Sequence, residues 1–154
     1  VLVFAGLMVL VWIPYFMVDL NVLYRHGLTN EFGLKWTRRG LIALGIAIGL
    51  VGAFENGVSE IGNFIHNLSA PLMGLFVIIL AFSLRRLIPG LSREAYITSY
   101  FLGAALVVGV AFVMIGYFNT AGITIFGAAI AFTWLALFVD TVEQEAAQLE
   151  PPPV

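Results

Sequence analysis

The sequence predicts an all-α integral membrane protein, a bundle of five transmembrane helices. Apolar residues make up 61% of the 154 and charged residues only 10%, where a soluble domain carries roughly a quarter charged. Mean hydropathy is +1.02. The apolar residues fall in five long runs, most of them near the ~20 residues a helix needs to cross a bilayer, and none alternates as a barrel strand does. Such a chain has almost no length left for an extramembrane catalytic domain.

The first span covers about residues 1–18. Pro14 interrupts it, Asp19 closes its apolar part, and the helix can run on to Tyr24, with Trp12 and Tyr15 at belt positions. The chain opens on Val1, not Met, inside this apolar run, so it is expected to start within a longer gene product. The second span, about 38–57, has an apolar centre from Gly40 to Phe54 of only about 22 Å, against ~30 Å of hydrocarbon. It is expected to draw on Trp36 and Arg39 at one end and on Asn56 to Val58 at the other. The third span, about 61–84, contains Pro71; the fourth covers about 95–117 and the fifth about 122–139.

The connections carry their own signals. Ile88-Pro89-Gly90-Leu91-Ser92 is a turn, with Ser92 placed as an N-cap and Glu94 set against the positive end of the following helix. Asn119-Thr120-Ala121-Gly122 is a second tight turn. In the longest connection, 19–39, Leu28, Phe32 and Trp36 recur every four residues and Glu31 precedes Lys35 by four, which predicts a short surface helix. Residues 140–154 form an acidic tail ending in Pro151, Pro152 and Pro153, expected as a frayed helix followed by disorder.

Charge sets the orientation. Arg25, Lys35, Arg38 and Arg39 lie in the first connection and Arg85, Arg86 and Arg93 in the third, so all seven basic residues fall on one side. The positive-inside rule makes that side cytoplasmic, with the C-terminus, in the cell membrane. Arg38, Arg39, Arg85, Arg86 and Trp36 are the expected interfacial anchors. Basic residues dispersed along bilayer edges form no nucleic-acid surface.

Composition also excludes chemistry. The chain has no cysteine, which removes disulfides, thiolate metal sites, iron–sulfur clusters and cysteine nucleophiles. The sole lysine, Lys35, lies in a connection, so no retinal Schiff base sits in the bundle. Neither a phosphate-binding glycine loop nor a zincin motif occurs. No cofactor and no metal is expected.

The densest polar cluster is Glu55-Asn56-Gly57-Val58-Ser59-Glu60, followed by Asn63, His66, Asn67 and Ser69. Ser59, Asn63, His66 and Ala70 share one helical face, so a hydroxyl, an amide and an imidazole are expected together. A functional site would use His66 as acid, base or ligand with Glu60 or Glu55 as its carboxylate. The plainer alternative is that these groups cap helix ends at the membrane surface, and the position of His66 near the headgroups favours it. His26 and His66 are predicted on opposite sides, which rules out a shared metal or haem. Asn67-Leu68-Ser69 matches a glycosylation acceptor but falls within a helix.

Small residues form the other pattern. Gly45 and Gly49 are four apart with Gly52 following, and Gly127 and Ala131 repeat the spacing. Such rows predict close helix packing. The stretch from Gly40 to Phe138, above all Leu50-Val51-Gly52-Ala53-Phe54 and Ile65-His66-Asn67-Leu68-Ser69-Ala70, resembles an uncharacterised six-span prokaryotic membrane family distantly similar to FRAG and DRAM-type membrane proteins. Gly52, Phe54, His66 and Ala70 carry the resemblance; Glu55 stands where the family usually has proline, and five spans replace six. It implies relatives linked to lipid remodelling or membrane homeostasis.

The expected role is therefore a non-catalytic membrane protein, acting as an accessory subunit packed on other transmembrane subunits or through contacts with membrane lipids. The alternative is a lipid-modifying enzyme with a site at His66, Glu60 and Glu55. A transporter component ranks third, because the span interiors offer only isolated polar groups such as Ser83, Ser99 and Thr133.

Overall fold

The computed structural model describes residues 2–54, 59–117 and 119–150, with the side chains of Thr120 and Ala121 left aside. These residues form five helices and no strand: α1 Leu2–Arg25, α2 Glu31–Ala53, α3 Glu60–Leu87, α4 Arg93–Met114 and α5 Thr120–Leu149. Each is long and apolar enough to cross a membrane. Short connections make sequence neighbours antiparallel, and every consecutive pair packs together. α5 also closes on α1 and α3, so the bundle is a ring with α5 turned inward.

Helix ends follow local chemistry more than the bilayer edge. α1 passes Asp19 and continues to Arg25 because Leu20, Val22 and Leu23 are all buried. Gly27 stops it, at φ 76°, and the Leu28 amide donates to the Leu23 carbonyl. Only glycine adopts this left-handed turn without strain.

No separate surface helix lies in the first connection. Asn30 accepts a hydrogen bond from the Gly33 amide at 2.8 Å, and residues 31–39 run straight into the second span. α2 thereby gains its missing length on the basic side alone and ends at Ala53. The extension expected over Asn56 to Val58, and Glu55 with it, lies outside the described residues. α4 ends at Met114, short of Tyr117, at a second left-handed glycine, Gly116. Ser92 caps α4 through the Ala95 amide at 3.2 Å, as its position predicts.

The largest departure is at the C-terminus. α5 stays helical through the acidic segment to Leu149, because Trp134, Phe138, Val142 and Ala146 continue one buried stripe at intervals of four. Arg25 pairs with Glu150 at 3.0 Å beside it. The described part of the segment is helical to Leu149 with Glu150 as its C-cap; Pro151, Pro152 and Pro153, where disorder is expected, lie outside the described residues.

Aromatic residues fill the centre: Phe138 stacks on Trp134 and tilts against Phe16. Outside, large apolar side chains such as Phe4, Met8, Tyr15, Phe64 and Phe101 stand about 70% exposed. A surface of this kind needs hydrocarbon around it. At the basic end Arg39 lies over the Trp36 ring and Arg86 over Phe32, which ties α2 to α3. Thr29 there donates to the Leu87 carbonyl at 2.6 Å, and the Gly90 amide donates to the Leu28 carbonyl.

α1 and α2 meet backbone to backbone. A Cβ on Gly6 would stand 2.5 Å from the Gly49 nitrogen and 2.8 Å from the Gly45 carbonyl oxygen; one on Gly52 would strike the Val3 backbone. Gly45 and Gly49 thus form the groove that receives Gly6. Ala131 is fully buried, whereas a Cβ on Gly127 would meet only side-chain methyls of Leu106 and Met73 at 3.9 Å.

Candidate functional site

The polar cluster lies where α2 ends and α3 begins. Ser59 is the N-cap of α3 and accepts from the Gly62 amide at 3.0 Å, which uses its hydroxyl in the helix start. His66 sits two turns further on. Its Nδ1 is 2.8 Å from the Phe54 carbonyl oxygen and 3.2 Å from that of Val51. Carbonyl oxygens only accept, so Nδ1 carries the proton and donates to both.

The last carbonyls of a helix lack intrahelical partners, and a histidine is well suited to satisfy them. His66 is therefore the C-terminal cap of α2, supplied from the next helix. Glu60 is exposed in the first turn of α3. Six residues separate it from His66, about 240° around the helix, so the two point to different faces. Glu55 lies outside the described residues. Among the described residues, no three His, Cys, Asp or Glu side chains gather as a metal site.

His66 has a second neighbour, which the sequence does not announce. A cleft of about 570 Å³ opens between α3, α4 and α5, within the ~300–1,000 Å³ range of small-molecule sites. Met73, Leu75, Ile78, Leu106, Val110 and Ile123 supply its apolar wall, and His66, Asn67 and Thr124 its polar groups. Leu68, Leu75 and Val110 are about half exposed, so the cleft opens sideways on the apolar surface. Along α3 it runs from His66 to Ile78, about 18 Å at 1.5 Å per residue. That is close to one leaflet of a ~30 Å hydrocarbon core.

Two glycines make the space. Nothing lies within 4 Å of a Cβ placed on Gly74, and Gly127 has only the distant methyl contacts. Pro71, also in the wall, has no N–H for the carbonyl of Asn67, so an acceptor is released beside His66.

A second cavity, of about 340 Å³, lies at the opposite end between α4 and α5. Its floor holds a buried relay: the Trp134 Nε1–H donates to Ser99 Oγ at 2.7 Å, and Ser99 donates to the Ala81 carbonyl at 3.1 Å. Ser99, isolated in sequence, is the hub that joins α3, α4 and α5. No protein-family model, curated protein or solved structure matches the chain.

Proposed function

We propose that the protein is a non-catalytic lipid-binding protein of the cell membrane, whose α3–α4–α5 cleft holds one acyl chain. The supporting observation is the form of the cleft: an apolar wall about one leaflet deep, open to the side, with polar groups at one end. Dry apolar clefts of this size gain from an apolar occupant. The commitment of His66 to the end of α2 favours this role over catalysis. The resemblance to a six-span prokaryotic membrane family, itself distantly similar to FRAG and DRAM-type proteins with lipid-linked relatives, agrees with it.

In this proposal the basic connections and the end of α5 face the cytoplasm, and the cleft faces the outer leaflet. The cysteine-free chain makes this simple to test. A membrane-impermeant maleimide on intact cells should label Ile115→Cys and spare Ala147→Cys.

The cleft is tested with the full chain in nanodiscs carrying a diazirine-tagged acyl lipid. Crosslinks should concentrate on residues 68–78 and 106–113, and Gly127→Leu, which projects into the space, should remove them. Crosslinks spread equally over Phe4 and Phe101 would end the proposal. Protein subunits that co-purify at fixed stoichiometry, with no bound lipid, would favour the accessory-subunit role.

A further inference from the structure

We infer that the cleft selects an uncharged lipid with free hydroxyls, a mono- or diacylglycerol, over a fatty acid or a phospholipid. This rests on the lipid-binding proposal for the same cleft and adds the headgroup.

The polar end of the cleft offers two acceptors beside the Asn67 carboxamide and the Thr124 hydroxyl, which both donate and accept, a mixed uncharged set that hydroxyl groups can match in both directions. With the Nδ1–H of His66 directed to Phe54 and Val51, Nε2 of this tautomer is an acceptor. The Asn67 carbonyl, deprived of its helical partner by Pro71, is a second acceptor one residue away. Hydroxyl groups supply the donors these atoms need.

Charge points the same way. The sequence has no Lys or Arg between Arg39 and Arg85 and none after Arg93, so no cation stands at this end to meet a phosphate or carboxylate. α2 and α4 both finish here, with the negative ends of their dipoles. α3 and α5 begin at the same end, and each has one first-turn amide taken by its cap, Gly62 by Ser59 and Gly122 by Asn119, so the four helix ends offset one another there. Glu60 adds a negative charge. An anionic headgroup would lose hydration here with no cation to pair with it, whereas glycerol hydroxyls would complete the hydrogen bonds.

The test compares three lipids with the same chain: 1-monooleoylglycerol, oleate and 1-oleoyl lysophosphatidylglycerol. Each competes for the full-length protein in detergent against labelled monooleoylglycerol. The expected result is monooleoylglycerol ahead of both others by about tenfold or more. His66→Asn keeps an N–H near the Nδ1 position and deletes Nε2; Pro71→Ala restores an N–H to the Asn67 carbonyl without touching the cap. Each should retain the fold and shrink the preference by about fivefold or more. Equal binding of the three lipids, a preference for the charged ones, or selectivity unmoved in both variants overturns the inference. The acyl-chain proposal survives those results as long as Gly127→Leu still abolishes binding. Binding of none of the three, or binding indifferent to Gly127→Leu, overturns both.

Discussion

Two single-methyl substitutions at residues that touch each other should act in opposite directions. In Gly6→Ala the new Cβ would lie 2.5 Å from the Gly49 nitrogen, 2.6 Å from its Cα and 2.8 Å from the Gly45 carbonyl oxygen. Ordinary contact is about 3.5 Å and these atoms are backbone, so α1 must withdraw by about 1 Å. A gap of ~0.5–1 Å forfeits a quarter to a half of each dispersion contact along the seam, and overpacking of this kind costs about 1–3 kcal/mol. In Gly49→Ala the new Cβ points into space with nothing within 4 Å. That change keeps the groove that Gly6 enters and gains roughly 0.5–1 kcal/mol of helix preference. Gly6→Ala shares the helix-preference gain, so the two variants should differ by the overpacking cost, about 1–3 kcal/mol. Reversible unfolding of the full chain in mixed micelles of rising dodecyl sulfate content measures the difference. Equal shifts within about 0.5 kcal/mol, or greater damage from Gly49→Ala, would refute the account of the α1–α2 seam.

Ser99→Ala should leave the buried Trp134 N–H without an acceptor and cost about 1–2 kcal/mol in the same assay; a cycle with Trp134→Phe should show coupling of roughly 0.6–1.7 kcal/mol, and strict additivity would deny the relay. Glu150→Gln should change stability by less than about 1 kcal/mol, because both partners of the Arg25 pair are largely exposed. That small effect should vanish in high salt, and a salt-independent loss would mean that the pair matters through something other than charge.

The helices were legible because each holds a long apolar run, and Ser92 because a capping residue acts within three positions of itself. What the sequence hid was contextual. Trp36, Arg38 and Arg39 separate 31–39 from the apolar centre in composition, yet a helix continues wherever its backbone bonds do, and Asn30 followed by Glu31 marked the true start. The acidic residues after Asp140 suggested fraying. The stripe Trp134, Phe138, Val142, Ala146 ran straight through them, and four residues of period outweigh a few solvated charges on the opposite face. His66 drew attention as chemistry because its side chain is titratable. Its partners are main-chain carbonyls of another helix, and a backbone acceptor leaves no residue-type signature.

Glycine shows why the site itself was harder to see than the fold. A missing side chain either lets another backbone come close or leaves a void, and spacing along one helix does not distinguish the two. At Gly6 and Gly52 the neighbouring helix has moved in until an added Cβ has no room. At Gly74 and Gly127 it has not, and the unfilled volume lies beside Met73 and Leu106. What differs is the partner. Against α2 the approaching surface is another glycine, so backbones can meet; around Gly127 the facing positions carry Leu106 and Met73, whose bulk holds α4 and α3 at a side chain's length. The same residue thus builds the seam that fixes α1 on α2 and the cleft in which a lipid would lie. Filling Gly127 should empty the cleft of ligand while leaving the α1–α2 seam untouched, and filling Gly6 should do the reverse.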